Sequence, residues 1–200
     1  MPYTGTKTGE NDQVGIFIPL PKHLAIKYKI KDKDKSPSHV TLFYIGSIPE
    51  EFQDQLPKLV EKIFKTISVP IRAKINGLDY FHNPEQTVAI TPILFNKDLG
   101  KYREILREEL VSLLGEVADD YLIYKPHCTL DYLPPWETYK GEIPEGEWEF
   151  DKVEIWGLPK VSVIKLGNRN KEASQILRDS EGNILYTYNE QQLKNRRYKK

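Results

Sequence analysis

The chain has 200 residues, 39% hydrophobic and 29% charged, and its 29 basic and 29 acidic residues leave no formal net charge. That length buries a proper core as one domain or two small lobes, and the charge balance excludes a global field that would announce nucleic acid or a membrane as partner. No apolar run approaches the roughly 20 residues of a membrane helix, residues 1–13 lack the apolar stretch of a signal peptide, and the single cysteine, Cys128, rules out an internal disulfide, so the expectation is a cytoplasmic monomer in a reducing compartment, with no membrane partner.

In chain order, residues 1–13 read as a flexible lead. Val14–Leu20 is a short apolar run, predicted to be a buried strand that Pro19 and Pro21 terminate. Residues 31–38 alternate Lys and Asp and deliver the chain into a second strand, His39–Ile45. Between Glu50 and Ile67, Leu56, Leu59, Val60, Ile63, Phe64 and Ile67 fall on one helical stripe, with Pro57 near its first turn. Ser68–Phe81 and Gln86–Leu94 read as a hairpin around the turn His82-Asn83-Pro84-Glu85. A second helix is capped by Asn96 and left at Gly115, with Leu99, Tyr102, Leu106, Leu110 and Leu113 as its apolar stripe. Lys125–Leu133 is the next strand, and Trp136–Glu149 reads as a Pro/Gly/acidic loop. Lys152–Leu158 and Val161–Leu166 are two more strands, Ser174–Tyr188 a last hairpin, and residues 189–200 a basic tail. The organisation expected is a lead at 1–13, a domain at 14–166 and a C-terminal hairpin and tail at 167–200.

Two segments share one pattern. His39-Val-Thr-Leu-Phe-Tyr-Ile and His127-Cys-Thr-Leu-Asp-Tyr-Leu both read His-x-Thr-Leu-x-Tyr-(Ile/Leu), 88 positions apart, and they hold two of the four histidines in the chain. A strand has a side-chain period of two, so each copy sets an imidazole beside a hydroxyl on one face. Strict alternation puts His39, Thr41 and Phe43 on that face, and His127, Thr129 and Asp131 in the second copy. Each copy belongs to a unit with one amphipathic helix. A duplicated α+β arrangement follows, with helices outside and the motif strands lining an inner cleft.

These paired motifs resemble the 2H phosphoesterase superfamily, which includes bacterial 2′-5′ RNA ligase-like proteins and cyclic nucleotide phosphodiesterases. The Ile-Phe-Ile-Pro-Leu-Pro opening also resembles the first strand of that superfamily, and the resemblance spans roughly residues 14–166. It implies a bilobal α+β fold with pseudo-twofold symmetry and antiparallel sheets lining a central cleft. It implies His39 and His127 as the catalytic pair, and Thr41 and Thr129 as the phosphate-binding pair. The substrate implied is a nucleotide or RNA: a 2′,3′-cyclic phosphate, a 2′-5′ linkage or a cyclic oligonucleotide. Viral members of the superfamily destroy nucleotide second messengers of host defence, a role this chain can share.

The residue chemistry leads to the same place. Two imidazoles supply one base and one acid near neutral pH, and two hydroxyls donate to phosphate oxygens where charge builds up. Nothing in this set requires a metal or cofactor, and Asp131 alone does not complete a divalent site. Lys125, Phe43 and Tyr124 are further candidates for substrate contact, with Trp136 and Tyr80 near the rim. Cys128 is expected to point away from the cleft, and His23 and His82 to be bystanders. Two competing classes remain: a non-catalytic RNA- or nucleotide-binding, virion-associated module, and a metal hydrolase.

Overall fold

The structure, a computed structural model, describes residues 14–30, 37–65, 70–95, 97–115, 117, 124–166, 175–178 and 184–188. The lead, the expected cap Asn96, the turn at 181–183 and the basic tail lie outside them. Two compact units divide the chain at residue 166. The second contains the antiparallel pair β10 (Gln175–Arg178) and β11 (Ile184–Tyr188).

The first unit is built on a curled antiparallel sheet. Its strands are β1 (Val14–Pro19), β2 (His39–Gly46), β3 (Ile71–Asn76), β4 (Asp79–His82), β5 (Thr87–Phe95), β6 (His127–Leu133), β7 (Glu145–Phe150), β8 (Lys152–Trp156) and β9 (Ser162–Lys165). They lie in the order β7-β3-β5-β6-β2-β1-β8-β9, with β4 added beside β5. The two motif strands, β2 and β6, are therefore adjacent at the middle.

The convex face of the sheet carries the core. Val14, Ile16 and Ile18 of β1, Val40 and Leu42 of β2 and Cys128 of β6 are buried in one cluster with the helices. Helix α2 (Gln55–Phe64) buries Leu56, Val60, Ile63 and Phe64 of the predicted stripe, with Leu59 partly buried against the core and Ile67 outside the described residues. Helix α3 (Lys97–Leu114) contributes Leu99, Leu106 and Leu110 and ends at Gly115, whose φ of +82° is the left-handed exit glycine allows. Phe17, Ile90 and Trp156 are equally buried but stand outside this cluster, on the concave face.

Four elements differ from expectation. Ser68–Phe81 is not one strand: Gly77, at φ +73°, breaks it into β3 and β4. Only β4 makes the hairpin with β5, and His82 ends that strand instead of sitting in its turn. Residues 145–150, expected as loop, form β7 against β3, with Trp148 and Phe150 buried and the glutamates between them outward. A six-residue helix, α1 (Lys22–Lys27), follows Pro21.

Gly15 marks a close approach. A Cβ there would lie 2.5 Å from the Phe17 ring, and that ring is itself stacked on Trp156 at 4.5 Å, so it has little room to yield. Gly15→Ala should therefore destabilise by about 1–3 kcal/mol, the usual cost of overpacking. Urea unfolding measures this; an unchanged midpoint would show that the ring relocates freely.

Candidate active site

The central ladder decides how the motif residues meet. Val40 of β2 pairs with Cys128 of β6 in an antiparallel register. One step to either side sets His39 across from Thr129 and Thr41 across from His127. Directly opposed residues have Cα atoms about 4.5–5.5 Å apart, so each imidazole faces the hydroxyl of the other copy. All four side chains are half-buried, and the intervening Val40 and Cys128 are fully buried on the other face.

Each histidine is oriented from behind in the same way. Nδ1 of His39 lies 2.8 Å from the carbonyl of Pro37, and Nδ1 of His127 lies 2.8 Å from the carbonyl of Lys125. A carbonyl only accepts, so each Nδ1 carries the hydrogen and donates it. In that tautomer Nε2 is the ring nitrogen able to take a proton, and the chemistry of both imidazoles falls to it.

The surroundings of the two rings differ. His39 sits edge-on to Phe17 and to Trp156, each at 4.8 Å between centroids. Burial pushes its pKa down from the ordinary 6.5 to about 4, opposed by the Pro37 hydrogen bond and reinforced by charge on His127. His127 is also lowered, by burial first and then by the Lys125 ammonium, against the Lys125 carbonyl bond. Phe81 of β4 meets the His127 ring edge-on at 4.9 Å and is itself 38% exposed.

A β-bulge in each motif strand corrects the expected facing of the next residues. Opposite β1, Phe17 pairs with Thr41 but Ile16 with Phe43, so Leu42 is the extra residue. Opposite β5, Ile90 pairs with Thr129 but Ala89 with Asp131, so Leu130 is extra. The leucine of each motif thus absorbs one step, and the alternation reverses beyond it. Phe43 is not a cleft residue: it turns with Ile16 into the core, where it is fully buried beneath the Arg103 guanidinium, 5.4 Å from its centroid. Asp131 turns the same way and lines a cavity of about 390 Å³ on the convex side with Tyr28 and Tyr139. The ladder places Tyr44 and Tyr132 on the concave face in their stead.

Tyr124 also departs from expectation. Its ring lies 4.5 Å under Arg103 and its hydroxyl donates to the Thr41 carbonyl at 2.9 Å, so it braces β2 instead of offering a stacking face. Lys125 is half-exposed, with Nζ 2.5 Å from Asp79 and 5.3 Å from the centre of the Phe81 ring. Its hydrogen bond holds the Asp79 carboxyl below the usual range. Trp136 and Tyr80 sandwich His82 on the convex side of β4, with Trp136 72% exposed. Burial pushes the Cys128 thiol up to about 12, which withholds the thiolate a nucleophile needs. His23 is exposed on α1. Among the described residues no group of three or more His, Cys, Asp or Glu could hold a metal ion, and no helix is long and apolar enough to cross a membrane.

Residues 22–158 match the 2′-5′ RNA ligase superfamily. The chain belongs to that superfamily. Its backbone is similar to that of TT0787 of Thermus thermophilus, with a TM-score of 0.59 at 18% identity, over 88% of this chain and 97% of that one. It is also similar to E. coli LigT complexed with 3′-AMP, with a TM-score of 0.50 at 12% identity, over 78% and 96%. These likenesses are of fold. No curated protein matches this superfamily member by sequence.

Residues that sequence reading passed over complete the cleft: Phe17, Phe81, Glu154, Trp156 and, through the bulges, Tyr44 and Tyr132. Phe17 and Trp156 belong to neither motif, and only the sheet order brings them beside His39.

Because the unfolded chain protonates His39 near 6.5 and the folded chain only near 4, acidification through this window favours unfolding. Stability is full above pH 6.5 and falls as the pH drops towards 4. His39→Gln should lose less stability than the wild type between pH 7 and 5, in denaturant titrations at both values. Equal losses would show that His39 protonates normally in the fold.

Proposed function

We propose that this member of the 2′-5′ RNA ligase superfamily is a metal-independent phosphodiesterase acting on ribose-linked phosphodiesters. The observation that carries this reading is the register of β2 on β6, which gathers two imidazoles and two hydroxyls on one concave face, with Nδ1 of each ring tied back to a carbonyl.

His39 is the base. Packed edge-on to Phe17 and Trp156, it is kept neutral at physiological pH by burial, whereas His127 lies against the partly open ring of Phe81. Its Nε2 removes a proton from water or from a ribose 2′-hydroxyl, whose oxygen forms the new bond to phosphorus. The opposite P–O ester bond breaks, and protonated His127 delivers its Nε2 proton to the leaving oxygen. The bound phosphate raises the pKa of His127 against the depression it has in the empty cleft, because an anion favours the imidazolium. Thr41 and Thr129 donate to the non-bridging oxygens as charge accumulates there. Phe81 offers a half-open ring beside His127 on which a base of the substrate stacks. LigT, of similar fold, is known in complex with 3′-AMP, a ribonucleotide, which supports a ribose-linked substrate.

The test is incubation with 2′,3′-cyclic phosphates, 2′-5′ oligonucleotides and cyclic oligonucleotides, second messengers among them, with products identified by mass. His39→Ala and His127→Ala should each lower turnover by about 10²–10⁴-fold, and Thr41→Val and Thr129→Val by about 10²–10³-fold, chiefly in kcat. Phe81→Ala should raise KM more than it lowers kcat. The acid limb of kcat/KM should lie well below pH 6.5, since it reports His39. A limb at or above 6.5 removes His39 as the base. EDTA should leave the rate unchanged; loss restored by a divalent metal overturns the mechanism. Binding without turnover of any panel member would make the chain a recognition module.

A further inference from the structure

Glu154 is 1% exposed in the middle of β8, a place where a carboxylate is rare unless it is paired. Lys152 and Trp156 are among its partners. Lys152 Nζ approaches one oxygen at 2.8 Å, and the indole Nε1 of Trp156 donates to the other at 2.7 Å. The ladder between β1 and β8 sets Glu154 opposite Phe17 and Trp156 opposite Gly15. All of these residues share the concave face with His39.

The aromatic rings carry this bond to the imidazole. Trp156 is stacked on Phe17 at 4.5 Å with an interplanar angle of 25°, and Gly15 provides the room this requires. Both rings meet His39 edge-on, at 78° and 77°. These ring contacts set the plane of the imidazole, and the Pro37 carbonyl holds Nδ1. His127 is held differently, against the ring of Phe81, which is partly open to solvent. A well-packed apolar residue would fill the place of Glu154 without the desolvation cost of a buried charge. What the carboxylate adds is a directional hold on the far edge of the indole.

We infer that Glu154 is a positioning residue for His39, acting through the Trp156 indole and held in turn by Lys152. This rests on the reading of His39 as a catalytic base, so the test separates geometry from turnover. In the full chain, Trp156→Phe keeps a ring against Phe17 but deletes the N–H, and Glu154→Gln keeps an oxygen acceptor for the indole but removes the charge. Thermal melts confirm that each is folded at the assay temperature, and Trp156→Phe carries the test alone if Glu154→Gln does not fold.

Trp156→Phe should lower kcat by about 10–10²-fold with KM little changed, the effect of a misplaced reacting group. Glu154→Gln should lose less, because its amide oxygen still accepts from the indole. In imidazole nitrogen–proton correlation spectra, the His39 signals and titration midpoint should move in Trp156→Phe while those of His127 stay. Unchanged His39 signals in the folded variants overturn the inference. If His39 signals move but the wild type cleaves no phosphodiester, the positioning role stands and the catalytic reading falls.

Discussion

The pairing of β2 with β6 at Val40 and Cys128 is the contact on which the site depends. It joins segments almost ninety residues apart, and its antiparallel sense exchanges partners between the two motifs. Each imidazole answers to the hydroxyl of the other copy, so neither copy alone presents the complete set. A slip of one residue would turn every side chain of one strand to the opposite face. The buried side chains of Val40 and Cys128 oppose such a slip, since it would bring the valine or the thiol into the cleft and drive that strand's histidine and threonine into the core.

Much of this was legible in the residues. Alternation set each His and Thr together and each intervening Val or Cys behind them, as the burial of Val40 and Cys128 bears out. The stripe of Leu56, Val60, Ile63 and Phe64 located α2, and proline and glycine marked several strand ends. The failures share a cause: they depend on partners remote in sequence. Phe43 and Asp131 were misplaced because a bulge is defined by the opposite strand, and Leu42 and Leu130 carry no local mark of being the extra residue. The same leucine holds that position in both motifs, so the shared pattern recorded more than the two functional residue types.

Strand β7 shows a different limit. Its glycine and glutamates resemble a loop, yet Trp148 and Phe150 alternate with Glu147 and Glu149 in the period of a half-buried strand. Composition outweighed periodicity in a segment too short for the latter to speak clearly. Likewise Phe81 gains its meaning only from the break at Gly77, which frees β4 to lie against β5 with Phe81 towards His127.

Among the described residues, Lys125 and Lys152 beside the cleft are both engaged by carboxylates, one by Asp79 and the other by Glu154. Their fields are therefore largely dipolar and die away over a short distance. These two lysines thus exert little pull on an anion until it is nearly seated, in contrast to uncompensated cations, which gather polyanions from afar. Capture then depends on contact, and the rate of encounter should respond only weakly to ionic strength. If the proposed phosphodiesterase reading holds, such a cleft would discriminate by fit at the scale of a single linkage, and a long nucleic acid would gain little from its many remaining charges.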